Sequence, residues 1–269
     1  MEIRTVKTDS FTMDYFCFGH GEGTFVILPG LSVQSVMGFA DAVATAYRKF
    51  QDDYTVYVFD RRRELPAAYC VYQMARDTAE AMGVLGLSKA NLFGASQGGM
   101  IAMEIAANHP ELVRKLVLGS TTAAVEEDQY RKIEKWIQLA RAGEKTDLYL
   151  AFGEAIYPRR IFEQLRGFLE KDAESVTEED LQRFIILAES LKCFNAANDL
   201  ARISCPVLVI GSEDDRLLGA DASRRLAESL RGSAEVALHM YDGYGHAAYD
   251  TAPDYKDRIL RFLASGAAL

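Results

Sequence analysis

Cysteine is scarce in this chain of 269 residues, and Cys17, Cys70, Cys193 and Cys205 are scattered without C-x-x-C spacing. That pattern excludes a dense disulfide framework, argues against a zinc or redox motif, and fits free thiols in a reducing compartment. Each of the four is expected to serve as a small buried hydrophobe. Long apolar runs are also missing. Nowhere do about 18 apolar residues follow one another, so no transmembrane helix is expected. Residues 1–8 alternate apolar and polar without a hydrophobic targeting core, which reads as a strand and leads to the expectation of a cytoplasmic protein. Positive charge is in deficit, with 30 Lys and Arg against 39 Asp and Glu and a net charge of −9. Nucleic acid and membranes are therefore not expected as partners, because the lone basic cluster, Arg61-Arg62-Arg63, is too short to form a patch. The charge balance leaves homo-oligomerisation open.

What remains is an ordinary globular composition, 49% hydrophobic and 26% charged, in a length that suits one large α/β domain with an insertion or two smaller domains. Residues 2–18 read as two antiparallel strands. The run Phe25-Val26-Ile27-Leu28 suits a strand buried on both faces, and it ends at Pro29-Gly30-Leu31-Ser32. A helix is predicted over 34–47, a strand over 55–59, a helix over 70–85, a strand over 91–93 and another over 116–118. This alternation predicts a mostly parallel sheet flanked by helices.

From about 121 to 202 there is no strand signal, only helical periods such as Ile133, Trp136, Ile137 and Ala140, then Ile161, Leu165 and Phe168, then Leu181, Phe184, Ile185 and Ala188. Thr177-Glu178-Glu179-Asp180 predicts the capped start of the last of these helices. The strand and helix alternation resumes at Val207-Leu208-Val209-Ile210. We therefore expect a core of residues 1–120 and 203–269, with 121–202 as a helical cap or lid.

Chemistry enters at Gly94-Ala95-Ser96-Gln97-Gly98, a G-x-S-x-G pattern between an apolar strand and a helix. A nucleophilic serine at such a turn stands on strained backbone, and the residues two before and two after it have no room for a Cβ. Serine needs a base, the base needs an acid to fix its tautomer, and a tetrahedral oxyanion needs N–H donors. Four histidines are available. His20 falls in a turn between edge strands, His109 at a helix end before Pro110, and His239 within a strand. His246 alone follows a terminal strand in a glycine-flanked loop, which selects it as the base. Asp214 and Asp215 follow the strand that ends at Ile210.

The order Ser…Asp…His, the elbow around Ser96 and the helical insertion after the sixth strand resemble the α/β-hydrolase superfamily over nearly the whole chain. That resemblance implies the α/β-hydrolase fold with a helical cap. It implies Ser96 as nucleophile, His246 as base and Asp215 as acid, with Asp214 the competing choice if the register shifts by one. The oxyanion hole would be the amides of Gln97 and Leu31, with Ser32 as the alternative to Leu31. Two departures stand out. Pro29 replaces a histidine common at that place, and Asp60-Arg61-Arg62-Arg63-Glu64 lacks the glycine of the usual Asp-x-Arg-Gly turn. No metal or organic cofactor is implied. The expected activity is hydrolysis of an ester, in preference to an amide, of a small apolar substrate through an acyl-enzyme. Carbon–carbon bond hydrolysis on the same fold is the alternative. A slow-turnover small-molecule binding or receptor protein is the alternative of another class. Dehalogenase and epoxide hydrolase chemistry is disfavoured, since those relatives need an aspartate where Ser96 stands.

Overall fold

The computed structural model describes residues 1–232 and 234–265. Ser233 and the last four residues of the predicted core segment lie outside them. Eight strands form one sheet: β1 (Arg4–Lys7), β2 (Thr12–Phe18), β3 (Gly23–Leu28), β4 (Tyr54–Arg62), β5 (Ala90–Ala95), β6 (Val113–Gly119), β7 (Val207–Ser212) and β8 (Val236–Tyr241). Their order is β1-β2-β4-β3-β5-β6-β7-β8. The β1 and β2 pairings are antiparallel, and every pairing from β4 to β8 is parallel. This is the α/β-hydrolase fold. Its central strands read as unbroken apolar runs because helices cover both faces: every residue of β5 and β7 is buried.

Helices α1 (Ala40–Ala46), α2 (Val71–Val84), α3 (Gln97–Asn108), α8 (Ala220–Leu230), α9 (Ala248–Thr251) and α10 (Tyr255–Ala264) flank the sheet. Side chains of α2, α3 and α8 pack in the core on one face, those of α1 and α10 in the core on the other. The helix expected over 34–47 is much shorter. The Ser35 hydroxyl accepts from Met37 N and caps a single 3-10 turn, Val36–Phe39, before α1 begins. Gly38 and β-branched Val36 are weak helix formers, and Ser35 is itself drawn to the Asp60 carboxylate.

Between β6 and β7 the chain forms α4 (Glu127–Ala142), α5 (Lys145–Ile156), α6 (Arg159–Glu174) and α7 (Glu178–Glu189). Thr177 Oγ1 accepts from Asp180 N while Asp180 Oδ2 accepts from Thr177 N, closing the capping box at the start of α7. The two ends of the insertion meet at a neck, where Val125 N donates to Phe194 O and Ala196 N to Ala123 O. Helix α4 packs on α7, and α5 packs on α6. One predicted apolar stripe is corrected: Ile161 is buried, but Phe168 is 60% exposed. The α6 face that meets α5 is narrower than the sequence period suggests. The cysteine expectation is also corrected. Cys17, Cys70 and Cys205 are half-buried and Cys193 is exposed, all as free thiols.

Candidate active site

Strand β5 delivers the chain to Ser96 at the carboxyl edge of the sheet, and α3 leaves immediately after it. Ser96 has φ 52° and ψ −120°, a backbone region costly for any residue with a side chain. It is held there from several directions. Ser96 N donates to Gly119 O at 2.8 Å, and Thr121 Oγ1 donates to Ser96 O at 2.8 Å. The two flanking glycines are sterically required. A Cβ on Gly94 would lie 2.2 Å from Gly98 O, and one on Gly98 would lie 1.9 Å from Leu28 O.

The loop after β8 carries His246 to the same edge. Gly243 and Gly245 both have positive φ, and Ala247 N donates to Ile156 O at the end of α5. His246 Nε2 lies 3.0 Å from Ser96 Oγ, and Nδ1 lies 2.9 Å from Asp215 Oδ2. His246 and Asp215 are both buried, 1% and 7% exposed. Burial alone would push the Asp215 carboxyl up. The facing His246 and the amides of Leu218 and Leu217, which donate to Oδ1 at 2.9 Å, outweigh it and hold the group below the usual carboxylate range. An ionised Asp215 only accepts, so Nδ1 carries the proton and Nε2 faces the Ser96 hydroxyl as an acceptor.

Asp214 does different work one residue away. Its Oδ1 accepts from Gly243 N at 3.1 Å, Gly245 N at 3.0 Å and Ser212 Oγ at 2.7 Å. It therefore ties the acid loop to the histidine loop and does not contact the imidazole. The other histidines lie elsewhere: His20 beside exposed Asp52, His109 beside Glu111, and His239 against the Tyr241 ring.

The Gln97 and Leu31 amides donate to no other group among the described residues. Leu31 borders the space at Ser96, whereas Ser32 borders only a neighbouring cavity. That space holds about 20 Å³ and is walled by apolar side chains, among them Met100, Ile133, Trp136, Leu217 and Leu218. Trp136 comes from α4, so the inserted helices form part of its wall. Among the described residues no group of three His, Cys, Asp or Glu side chains is placed to hold a metal ion.

Arg61 escaped the sequence reading. It is 5% exposed, and its Nη2 donates to Pro29 O at 2.8 Å and to Gln97 Oε1 at 2.8 Å. Burial pushes this guanidinium down to about 10, against the opposing pull of Asp60, so it is charged at neutral pH. The Gln97 side-chain Nε2 in turn donates to Leu187 O at 2.8 Å and to Ser190 Oγ at 3.1 Å, reaching the end of α7. Asp60 pairs with Arg183 of α7. The departure of the 60–64 turn from the usual Asp-x-Arg-Gly was the available signal. Arg61, two residues before the position of the missing glycine, is a buried cation that braces the Pro29-Gly30 turn.

Fold and site together define a hydrolase built on a parallel sheet with its chemistry at the carboxyl edge. The chain belongs to the alpha/beta hydrolase fold family, whose profile matches residues 23–253. It is 28% identical over 221 residues, 79% of this chain and 84% of the other, to a protein of Agrobacterium fabrum provisionally named carbamate hydrolase RutD. It is 30% identical over 217 residues, 73% of each chain, to a Pseudomonas 2-hydroxy-6-oxononadienedioate/2-hydroxy-6-oxononatrienedioate hydrolase. The crystal structure of MGS-M2, an alpha/beta hydrolase enzyme from a deep-sea metagenome library of the Medee basin, superposes with a TM-score of 0.86. It covers 99% of both chains at 22% identity.

Proposed function

We propose that this protein is a serine hydrolase that cleaves an ester of a small apolar molecule through an acyl-enzyme. The observation that carries the reading is the unbroken chain from Ser96 Oγ through His246 to Asp215, at 3.0 and 2.9 Å. His246 Nε2 takes the serine proton as Ser96 Oγ attacks the acyl carbon, and Asp215 holds the tautomer and balances the imidazolium. The Gln97 and Leu31 backbone N–H groups donate to the developing oxyanion. They cost no reorganisation because neither is engaged elsewhere. His246 then protonates the leaving group, and water repeats the sequence on the acyl-enzyme. Residues 121–202 act as the cap over this site, within a core formed by the rest of the chain. The free thiols support a cytoplasmic setting.

The relative named as a carbamate hydrolase supports cleavage at an acyl carbon. Carbon–carbon cleavage of a dioate is less well supported, because among the described residues no lysine or arginine borders the space at Ser96. A panel of p-nitrophenyl esters of increasing acyl length, beside an amide and a vinylogous diketone, tests the reading. The short esters should be turned over fastest, and Ser96→Ala should lose both turnover and fluorophosphonate labelling. Labelling that persists in Ser96→Ala removes Ser96 as the nucleophile.

A further inference from the structure

A cavity of about 330 Å³ lies beside the space at Ser96, and Leu31, Phe152, Ile156 and Tyr249 border both. The 20 Å³ at Ser96 accommodates little more than a methyl-sized group. For any larger part of a substrate, the neighbouring cavity that shares these four residues offers room. We propose that this cavity receives the remainder of the substrate and selects one that carries an organic cation. The proposal rests on the serine hydrolase reading above and adds to it the chemical class of the substrate.

Three features of the lining point this way. Five aromatic residues line it, with Tyr149, Tyr157 and Phe39 joining Phe152 and Tyr249, and ring faces attract alkylammonium groups. No lysine or arginine borders it among the described residues, whereas two carboxylates do, Asp172 and Asp250. Those two differ. Asp250 accepts from Tyr157 Oη at 3.3 Å and lies in the field of Lys256, whose amine is bound to Tyr249 O. Asp172 is half-buried on α6, and its carboxylate makes no ion pair or hydrogen bond among the described residues. The polar groups near it are already engaged: Tyr149 Oη donates to Gln34 Oε1 at 2.8 Å, and Gln34 Nε2 to Ser175 Oγ at 3.2 Å. An unpaired carboxylate beside aromatic faces attracts a cation and repels a carboxylate-bearing substrate.

Trp136 provides a readout that does not depend on turnover. It is the only tryptophan in the chain, and its ring centroid lies 4.7 Å from that of Phe152, which borders the cavity. In the Ser96→Ala protein, benzyltrimethylammonium should change the Trp136 emission with a Kd at least about tenfold below that of phenylacetate. Asp172→Asn should shrink that ratio severalfold. In the wild-type protein, kcat/KM for acetylcholine should exceed that for its uncharged isostere 3,3-dimethylbutyl acetate by about tenfold, and Asp172→Asn should reduce this preference. Phenylacetate binding as tightly as the cation, no binding of the cation, or a ratio untouched by Asp172→Asn overturns the proposal. Cation binding that depends on Asp172 without turnover of any ester would instead leave the cavity assignment standing and remove the hydrolase reading beneath it.

Discussion

Arg61 Nη2 lies 2.8 Å from Gln97 Oε1 and 2.8 Å from Pro29 O, so one buried cation spans the two peptide segments that flank Ser96. Those segments carry the two amides assigned to the oxyanion hole. Arg61→Met should therefore lower kcat by about 10- to 100-fold with a smaller change in KM, because misplaced donors weaken the transition state more than substrate binding. Arg61→Lys, which restores charge but not the fork, should recover only part of the loss. Steady-state kinetics beside a melting curve check this. A fall in melting temperature with kcat intact would reduce Arg61 to a purely structural brace.

The adjacent acids should separate cleanly. Asp215→Asn would keep its oxygen on the Leu217 and Leu218 amides and turn an NH2 donor toward His246 Nδ1, which favours the wrong tautomer and should cost up to about 10⁴ in kcat. Asp214→Asn keeps an oxygen able to accept from Gly243 and Gly245 and should cost far less. Single-turnover rates on one p-nitrophenyl ester decide it, and the reverse order would mean that the acid loop works in the other register.

Within the inserted helices, Trp136 and Phe184 should behave differently. Trp136 borders the space at Ser96, whereas Phe184 is fully buried and meets Phe152 edge-on without touching that space. Trp136→Ala should shift preference toward longer acyl chains. Phe184→Ala should instead destabilise the protein by about 3–5 kcal/mol with little change in preference. Acyl-length profiles and denaturant melts of both variants test the contrast, and equal rate losses on every ester at unchanged stability would contradict it.

The glycines around Ser96 should tolerate nothing larger. Gly98→Ala would place a methyl 1.9 Å from Leu28 O, a backbone clash that no side-chain rotation relieves, and should cost more than about 3 kcal/mol. Gly83→Ala, on the exposed face of α2 with open space around it, should be neutral or stabilising by up to about 1 kcal/mol. Thermal melts of the two variants give the comparison, and a Gly98→Ala protein that melts like wild type would mean that the elbow backbone can relax.

Stability should carry a signature from Glu104 on α3, far from Ser96 in the chain's chemistry. Burial, with a smaller push from Asp199, raises this carboxyl to about 7, and its Oε1 has no partner. Between its ordinary range and about 7 the folded protein holds a proton that the unfolded chain has released, so stability falls as pH rises through that window. At pH 8 Glu104→Gln should be more stable than wild type, on the order of 2 kcal/mol, with the gain vanishing near pH 4. Melting temperatures of both proteins at pH 5 and pH 8 check this. A gain independent of pH would assign the effect to packing.

What depends on near neighbours in the chain could be read from the residues alone. Apolar runs marked β3, β5 and β7, helical periods marked α2, α4 and α7, and the steric demand on Gly94 and Gly98 marked the elbow, because each is set by residues within a turn or two. The order Ser96, Asp214 or Asp215, and His246 was legible for the same reason, since each sits in a short loop at a strand end. The folded chain was needed to show which acid meets the imidazole, because one residue of shift in a loop reverses the roles of Asp214 and Asp215. It alone showed Arg61 turned inward beneath Pro29 and Gln97, since an arginine cluster reads as solvated surface until the carbonyls it satisfies are in view. The exposure of Cys193 and Phe168 was likewise hidden. A period in the sequence says which residues share a face, but whether that face is covered depends on a partner helix brought from elsewhere in the chain.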